Sequence, residues 1–413
     1  MAKPAPDDSM ADKYAALRRF SHVLDLVQHH YVKDITQKDL INGALKGMLQ
    51  GLDPHSTFMS ADEYKEMQET TSGEFFGVGI EISMENNQVV VVAPIEDTPA
   101  FRAGLKAGDI IMSIDGQPTQ ELSLQEVVSR IRGPKGTEVE LTIIHADDKT
   151  PQTVRIVRDA IPLISVKTKC LEDNYYWVRV TRFSERTTEE LKKALRSAEK
   201  ESRSAGGIRG IVLDLRNNPG GLLDQAVSVA DVFLQRGVIV SIKGRSAKER
   251  VYEAKSQKDD ISVPMVVLIN AGSASASEIV AGALRDQNRA LTMGERSFGK
   301  GSVQNIIPLP DGSGLKLTVA LYYTPNGGSI QAEGIVPDIE VPFEAPRQDA
   351  KANSPRMLVR EQDLNRHLEN SGKKDEQDKN KSDDVKDQLS RDNQLRLALQ
   401  MVKALPRIRD IKN

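Results

Sequence analysis

Residues 265–279 read Met265-Val-Val-Leu-Ile-Asn-Ala-Gly-Ser-Ala-Ser-Ala-Ser-Glu-Ile279. The first five form a continuous apolar run without polar alternation, the pattern of a strand covered on both faces. Small and polar residues follow, and apolar residues then return at helical spacing from Ser275 to about Arg285. A buried strand, a small-residue turn and a helix make the repeating unit of an α/β core. The same alternation continues upstream. Tyr175–Thr181 reads as a strand and Thr188–Ser202 as a helix. Ile208-Arg-Gly-Ile-Val-Leu-Asp-Leu reads as a second buried strand, and Leu222–Phe233 as a helix. Downstream, Ser302–Leu309 and Leu315–Tyr323 flank Pro310-Asp-Gly-Ser-Gly as a β-hairpin.

Around this core, expected over residues 160–345, the period changes twice. Residues 73–159 alternate apolar and polar, as in Gly79-Ile-Glu-Ile-Ser-Met, with short strands at Val89–Val92, Ile110–Ile114, Val139–Ile144 and Thr153–Val157. One amphipathic helix, Ser123–Arg132, interrupts them, and the whole reads as a compact β-rich domain. Residues 14–72 carry helical spacing, with Leu17, Phe20, Val23, Leu24, Val27 and Tyr31 on one stripe. They are read as a helical arm behind a disordered start at residues 1–13. The final segment, residues 346–413, is read as a charged linker and a last helix at Leu389–Leu405.

Composition narrows the function. The chain has 413 residues, a formal charge of −3 and only 4% aromatic residues, so it offers neither a basic field nor stacking platforms for nucleic acid. One cysteine, Cys170, excludes an intramolecular disulfide framework, and no metal site or other cofactor is expected. No apolar run is long enough to span a bilayer. The start, Met1-Ala-Lys-Pro-Ala-Pro-Asp-Asp, has no apolar signal core. The protein is therefore expected to be cytoplasmic, or to have lost a targeting segment.

None of the six histidines lies between Ile161 and Val341, so a Ser-His-Asp triad within the core is impossible. Serines are instead dense at Ser273, Ser275 and Ser277, where a strand gives way to a helix. A helix N-terminus and its free amides favour a developing oxyanion there, although serine-rich caps are also common in inert helices. Gly299-Lys-Gly-Ser-Val-Gln holds a lysine between glycines. An ordinary lysine titrates near about 10.4, whereas a desolvated one loses its charge more readily and can accept a serine proton. The plain alternative is a solvated turn lysine. Asp214-Leu-Arg-Asn-Asn-Pro-Gly-Gly follows a buried strand, and its Gly220-Gly221 step suits either an oxyanion site or a tight turn.

Taken in order, the Leu52-Asp-Pro-His-Ser-Thr, DLRNNPGG, GSASASE and FGKGSVQ stretches resemble the carboxyl-terminal processing (tail-specific) proteases, over roughly residues 14–345. That resemblance implies a crotonase-like α/β protease core with an inserted PDZ domain and helical ends. It also implies Ser275 as nucleophile, Lys300 as general base, Gln304 orienting the lysine, and the amides of Gly221 and Ala276 as oxyanion hole. Lys300 and Gln304 are four residues apart, about 13 Å on a straight strand, so they meet only across a glycine bend or a helical turn. Glu74-Phe-Phe-Gly-Val-Gly-Ile resembles a PDZ carboxylate-binding loop, which places Phe76, Gly77, Val78, Gly79 and Ile80 in a tail-binding groove, with Arg132 either a link to the core or a surface residue.

The expected activity is ATP-independent serine endoproteolysis of proteins recognised by their C-terminal tails. The resemblance implies a periplasmic location, a role in envelope protein quality control or cell-wall enzyme turnover, and an adaptor protein as a further partner. Two rivals are a non-catalytic PDZ scaffold and an acyl-CoA enzyme. A homo-oligomer is also expected, because neither end helix can bury its apolar stripe alone. Each helix is expected to meet its counterpart in another subunit rather than fold onto its own core.

Overall fold

In the computed structural model the described residues are 10–85, 87–95, 97–145, 150–245, 249–344 and 383–411. They fall into two compact units. The first takes the described residues of Met1–Gln68, Lys243–Lys248 and Ser302–Leu321, and the second takes the rest. The expected disordered start and most of the expected charged linker lie outside the described residues.

In the first unit, Met10–His30 and Gln37–Gln50 are helices. Thr36 caps the second, its hydroxyl accepting from the Asp39 amide. The strand Thr57–Met59 pairs antiparallel with Gly314–Tyr323, which pairs in turn with Ser302–Pro308 as the expected hairpin. The Asp53-Pro-His-Ser stretch joins these parts. Asp53 Oδ1 accepts from the amides of His55 and Ser56 and from the Thr318 hydroxyl, at 2.8, 2.9 and 3.1 Å. Its Oδ2 accepts from the Ser56 hydroxyl at 2.6 Å, and that hydroxyl accepts from the Thr318 amide at 3.1 Å. This motif is therefore a clamp between the arm and the hairpin.

The second unit contains a six-stranded sheet in the order Val166–Glu172, Tyr175–Val180, Gly210–Asp214, Met265–Ile269, Leu291–Gly294, Ile339–Glu340. The first pair is antiparallel and the others are parallel. All five residues of both central strands are buried. One face is covered by the C-terminal helices Asp383–Arg391 and Asn393–Ile411. Their Val385, Leu395, Ala398, Leu399 and Val402 pack on Val212, Val266, Leu268 and Met293. The last helix thus folds onto its own core, contrary to the expected contact with another subunit. Burying Val385, Leu395, Leu399 and Val402 on an otherwise open sheet face, at about 1.5–3 kcal/mol each, outweighs the freedom of a long linker.

The PDZ domain is a sheet in the order Ile80–Glu85, Gln88–Pro94, Ile110–Ile114, Glu138–Ile144, Gln152–Val157, flanked by the helix Leu124–Ile131. Val139, Leu141 and Ile143 point into its core with the expected period of two. A capping box between Ser123 and Glu126 starts the helix. The domain is inserted through a two-stranded ribbon, Glu74–Gly77 with Asp159–Pro162. Among the described residues no helix is long and apolar enough to cross a membrane.

Burial alone would raise the Asp53 pKa, but the Ser56 hydroxyl, the His55 and Ser56 amides and the Thr318 hydroxyl together pull it down to about 2. A carboxylate held below its unfolded value of about 3.9 adds stability that is complete above that value and is lost as pH falls through the folded one. Asp53→Ala is therefore expected to cost about 2 kcal/mol at neutral pH. The calorimetric gap from wild type should narrow between about pH 4 and pH 2. A gap independent of pH would mean that the carboxylate charge does not hold the clamp.

Candidate active site

Two loops meet at the carboxyl ends of adjacent parallel strands, the usual place for a site in an open α/β sheet. One follows Gly210–Asp214 and carries Asn217–Gly221. The other follows Met265–Ile269 and carries Ser273–Ser277. They are bound to each other by several hydrogen bonds. The Asn218 carbonyl accepts from the Ala274 amide and the Ser277 hydroxyl, at 3.0 and 2.9 Å. The Leu215 carbonyl accepts from the Ser273 hydroxyl, and the Asn217 and Asn270 side chains pair reciprocally with each other's loop.

Ser275 sits at the tip, 8% exposed, with φ 55° and ψ −111°, directly before the helix Ala276–Asp286. A non-glycine residue in this sparsely populated region is strained, and such strain clusters at functional sites. Gly220 lies against it: a Cβ there would stand 2.7 Å from the Ala274 carbonyl oxygen and 2.9 Å from Ser275 Cβ. Gly221, at φ 144°, would place a Cβ 2.1 Å from the Phe183 carbonyl oxygen. Phe183 fixes this turn by donating to the Gly220 carbonyl and accepting from the Leu222 amide. Among the described residues, the amides of Gly221 and Ala276 donate to no acceptor.

Glu278 has no exposed surface, yet four donors meet its carboxylate. Oε2 accepts from the amides of Ser275 and Lys300, at 2.7 and 2.9 Å. Oε1 accepts from the Ser297 hydroxyl and the Gly299 amide, at 2.6 and 2.7 Å. One oxygen thus ties the backbone of the expected nucleophile to that of the expected base. Sequence reasoning assigned Glu278 no role, although Ser275-Ala-Ser-Glu278 has the spacing of a capping box. Lys300 is half-buried. Gln304 belongs to the first unit, in the extended strand Ser302–Pro308 rather than a helical turn, and its amide nitrogen donates to Ser302 O and Oγ.

Beneath these loops, Arg216 is 7% exposed and makes a bidentate pair with the fully buried Asp214. Burial alone disfavours the charged guanidinium, but Asp214 and Asp392 more than offset it and drive its pKa further up. Burial likewise opposes ionisation of Asp214, and the bonds from Arg216 outweigh it, holding the carboxyl below its ordinary range.

The PDZ groove is lined by Phe75, Gly77, Val78, Gly79, Ile80 and, from the helix, Val128, Ile131 and Arg132, among others. Phe76 is not among the lining residues. Alternation along the strand places its neighbour Phe75 there instead. Arg132 lies 4.9 Å over the Phe75 ring and 3.5 Å from Glu69. The buried Arg158 donates to the Arg130 and Ile131 carbonyls and fixes the end of the helix that presents Arg132. The neighbouring strand, Ile80–Glu85, is at the edge of its sheet.

Comparison with known proteins gives the family. Residues 174–341 match peptidase family S41, residues 90–144 a PDZ domain, and residues 3–63 the N-terminal domain of the activating protease CtpB. The carboxy-terminal-processing protease of Bartonella bacilliformis is 46% identical over 84% of this chain and 80% of its own. The chain belongs to the carboxy-terminal processing proteases. CtpA and CtpB of Bacillus subtilis are 36% and 35% identical, over 78% and 82% of this chain and 68% and 71% of their own. A photosystem II D1 C-terminal processing protease is 31% identical, with a TM-score of 0.46, over 80% of this chain and 88% of its own. The protein is accordingly a serine-type peptidase with a PDZ domain.

The four bonds to Glu278 make its carboxylate hard to replace. Glu278→Gln turns one acceptor oxygen into a donor facing two other donors. It is expected to cost about 3 kcal/mol of stability. The same change should lower kcat about 100-fold by releasing the Ser275 and Lys300 backbones. Calorimetry and peptide cleavage check both, and a fully active variant would show that the shared carboxylate does not position the site.

Proposed function

We propose that this protease cleaves proteins selected by their C-terminal tails, using Ser275 as nucleophile and Lys300 as general base. The observation that carries the dyad is the single Glu278 oxygen shared by the Ser275 and Lys300 amides. Neutral Lys300 takes the Ser275 hydroxyl proton as Oγ attacks the scissile carbonyl. The amides of Gly221 and Ala276 then hold the tetrahedral oxyanion. The lysine returns the proton to the leaving amine, and a water molecule activated by the same lysine releases the acyl group. Gln304 is assigned the orientation of Lys300.

Tail selection rests on the groove beside Ile80–Glu85. An incoming tail adds to the open edge as a further strand, and its carboxylate meets the Gly77–Ile80 loop. The insertion ribbon lies close to the catalytic turn. Thr71 O accepts from the Glu185 amide, and Glu74 pairs with Arg186 at 3.3 Å, next to the Phe183 segment that fixes Gly220 and Gly221. Tail capture therefore has a short path to the oxyanion site. The resemblance to processing proteases supports a periplasmic location, envelope proteins or cell-wall enzymes as substrates, and an adaptor as a further partner.

The dyad is tested with purified protein and a tail-bearing substrate. Ser275→Ala and Lys300→Ala are expected to lose cleavage by at least about 1000-fold while staying folded, and Gln304→Ala by about tenfold. Wild-type activity should rise with pH as the lysine deprotonates, and amidating the substrate tail should weaken its binding. Cleavage by Ser275→Ala, or equal binding of amidated and free tails, would overturn the corresponding half of the reading.

We also propose self-association through the arm helix Met10–His30. It buries none of its residues: Leu17, Phe20 and Val23 are 62%, 47% and 52% exposed, and Tyr31 just after it is 55% exposed. A second copy of the same stripe is the partner that covers it symmetrically. Light scattering on the full chain should give more than a monomer mass, and deletion of residues 1–33 should lower it. A monomer at micromolar concentration would rule the assembly out.

A further inference from the structure

The guanidinium of Arg216 has five N–H donors. Asp214 takes two of them, Nε to Oδ1 at 2.9 Å and Nη2 to Oδ2 at 2.8 Å. The other three go to the start of the last helix. Nη1 donates to Asp392 Oδ1 at 3.0 Å and to Gln394 Oε1 at 2.9 Å, and Nη2 donates to Asp392 Oδ2 at 2.7 Å. These acceptors are themselves held. Asp392 accepts from the Leu395 amide at 2.9 Å, capping the helix Asn393–Ile411. Gln394 is 1% exposed and donates to the Val341 carbonyl at 2.7 Å. Covering a sheet face needs apolar side chains only; it does not need a carboxylate and an amide aimed at one buried arginine.

Arg216 is also where the catalytic turn begins. The next residue, Asn217, donates its amide to Asn270, which precedes the nucleophile loop. Asn218 donates to the Val180 carbonyl, accepts the Gly220 amide, and receives the Ala274 amide on its own carbonyl. A bonded path therefore runs from the N-terminus of the last helix through one guanidinium to Gly220 and Gly221.

We propose that Asp392 and Gln394 are positioning residues for catalysis: acting through Arg216, they latch the Asn217–Gly221 turn in the geometry that binds the oxyanion. The proposal rests on the reading of Gly221 and Ala276 as oxyanion donors. Without the latch, three buried donors lose their acceptors. The arginine side chain turns to find others, and the turn follows its backbone. The defect falls on the transition state rather than on substrate capture, because the PDZ groove shares no residue with this path.

The test uses the full-length protease and three variants, Asp392→Ala, Asp392→Asn and Leu399→Ala. Leu399 belongs to the apolar cluster that packs the same helix on the sheet and is not among the acceptors of Arg216, so Leu399→Ala reports loss of packing. The expected result for Asp392→Ala is a fall in kcat of about 10- to 100-fold with KM within about twofold. Labelling of Ser275 by a fluorophosphonate, which also needs the oxyanion hole, should slow by the same factor. Asp392→Asn, which keeps one acceptor oxygen and the helix cap, should fall between. Leu399→Ala should lower Tm yet keep its kcat at temperatures well below that Tm. If Asp392→Ala does not fold, Asp392→Asn carries the test. Unchanged kcat in folded Asp392→Asn, with Ser275→Ala inactive, overturns the latch alone, as does a loss of kcat in Leu399→Ala equal to that in the Asp392 variants. Turnover by Ser275→Ala overturns the nucleophile assignment and the latch with it.

Discussion

A single buried carboxylate, that of Glu278, sets the register of the two segments that carry Ser275 and Lys300. Its two oxygens accept from four donors on two segments, one carrying Ser275 and the other running from Ser297 to Lys300. A charge without solvent contact is tolerable only when its hydrogen-bonding capacity is filled. The protein can therefore relax neither segment without exposing a defect in the other. The parallel sheet brings the loops to one edge, and the carboxylate converts that rough neighbourhood into a fixed distance between the backbones of Ser275 and Lys300, the proposed nucleophile and base.

The second organising choice is the placement of glycine where atoms already crowd. Gly220 and Gly221 exist at the point where Phe183, Ala274 and Ser275 leave no room for a Cβ. The PDZ insertion enters the core through the same neighbourhood, with Gly73 packed so tightly that a Cβ would lie 2.5 Å from the Ser184 hydroxyl. Ser184 follows Phe183, so the ribbon and the catalytic turn share adjacent residues of one rigid segment. A domain joined in this way cannot shift far without being felt at the turn.

Much of this was legible because hydrophobic periodicity reports burial directly. Met265–Ile269 and the strand ending at Asp214 have uniform apolar runs, and both are covered on two faces. The strand Val166–Glu172 escaped notice because it is an edge strand whose middle is largely exposed and whose composition is polar. Leu291–Gly294 is only four residues long. Which of Phe75 and Phe76 faces the groove turns on a one-residue phase, to which a short ribbon is most sensitive. The destination of the last helix was illegible for another reason. Its stripe of Leu395, Leu399 and Val402 specifies that something must cover it, but only the polar pair Asp392 and Gln394 says which surface, and their partner lies 176 residues away in the chain.

The backbone of Ser275 has a practical consequence for anyone replacing this residue. At φ 55° the serine bears a conformational cost of about 1–3 kcal/mol that belongs to its Cβ, not to its hydroxyl. Alanine at this position removes the hydroxyl and keeps the cost. Glycine removes both. The two hydroxyl-free proteins are therefore not equivalent controls: the glycine form is relieved of the strain that the alanine form keeps, and a comparison of thermal shift between them measures released backbone strain.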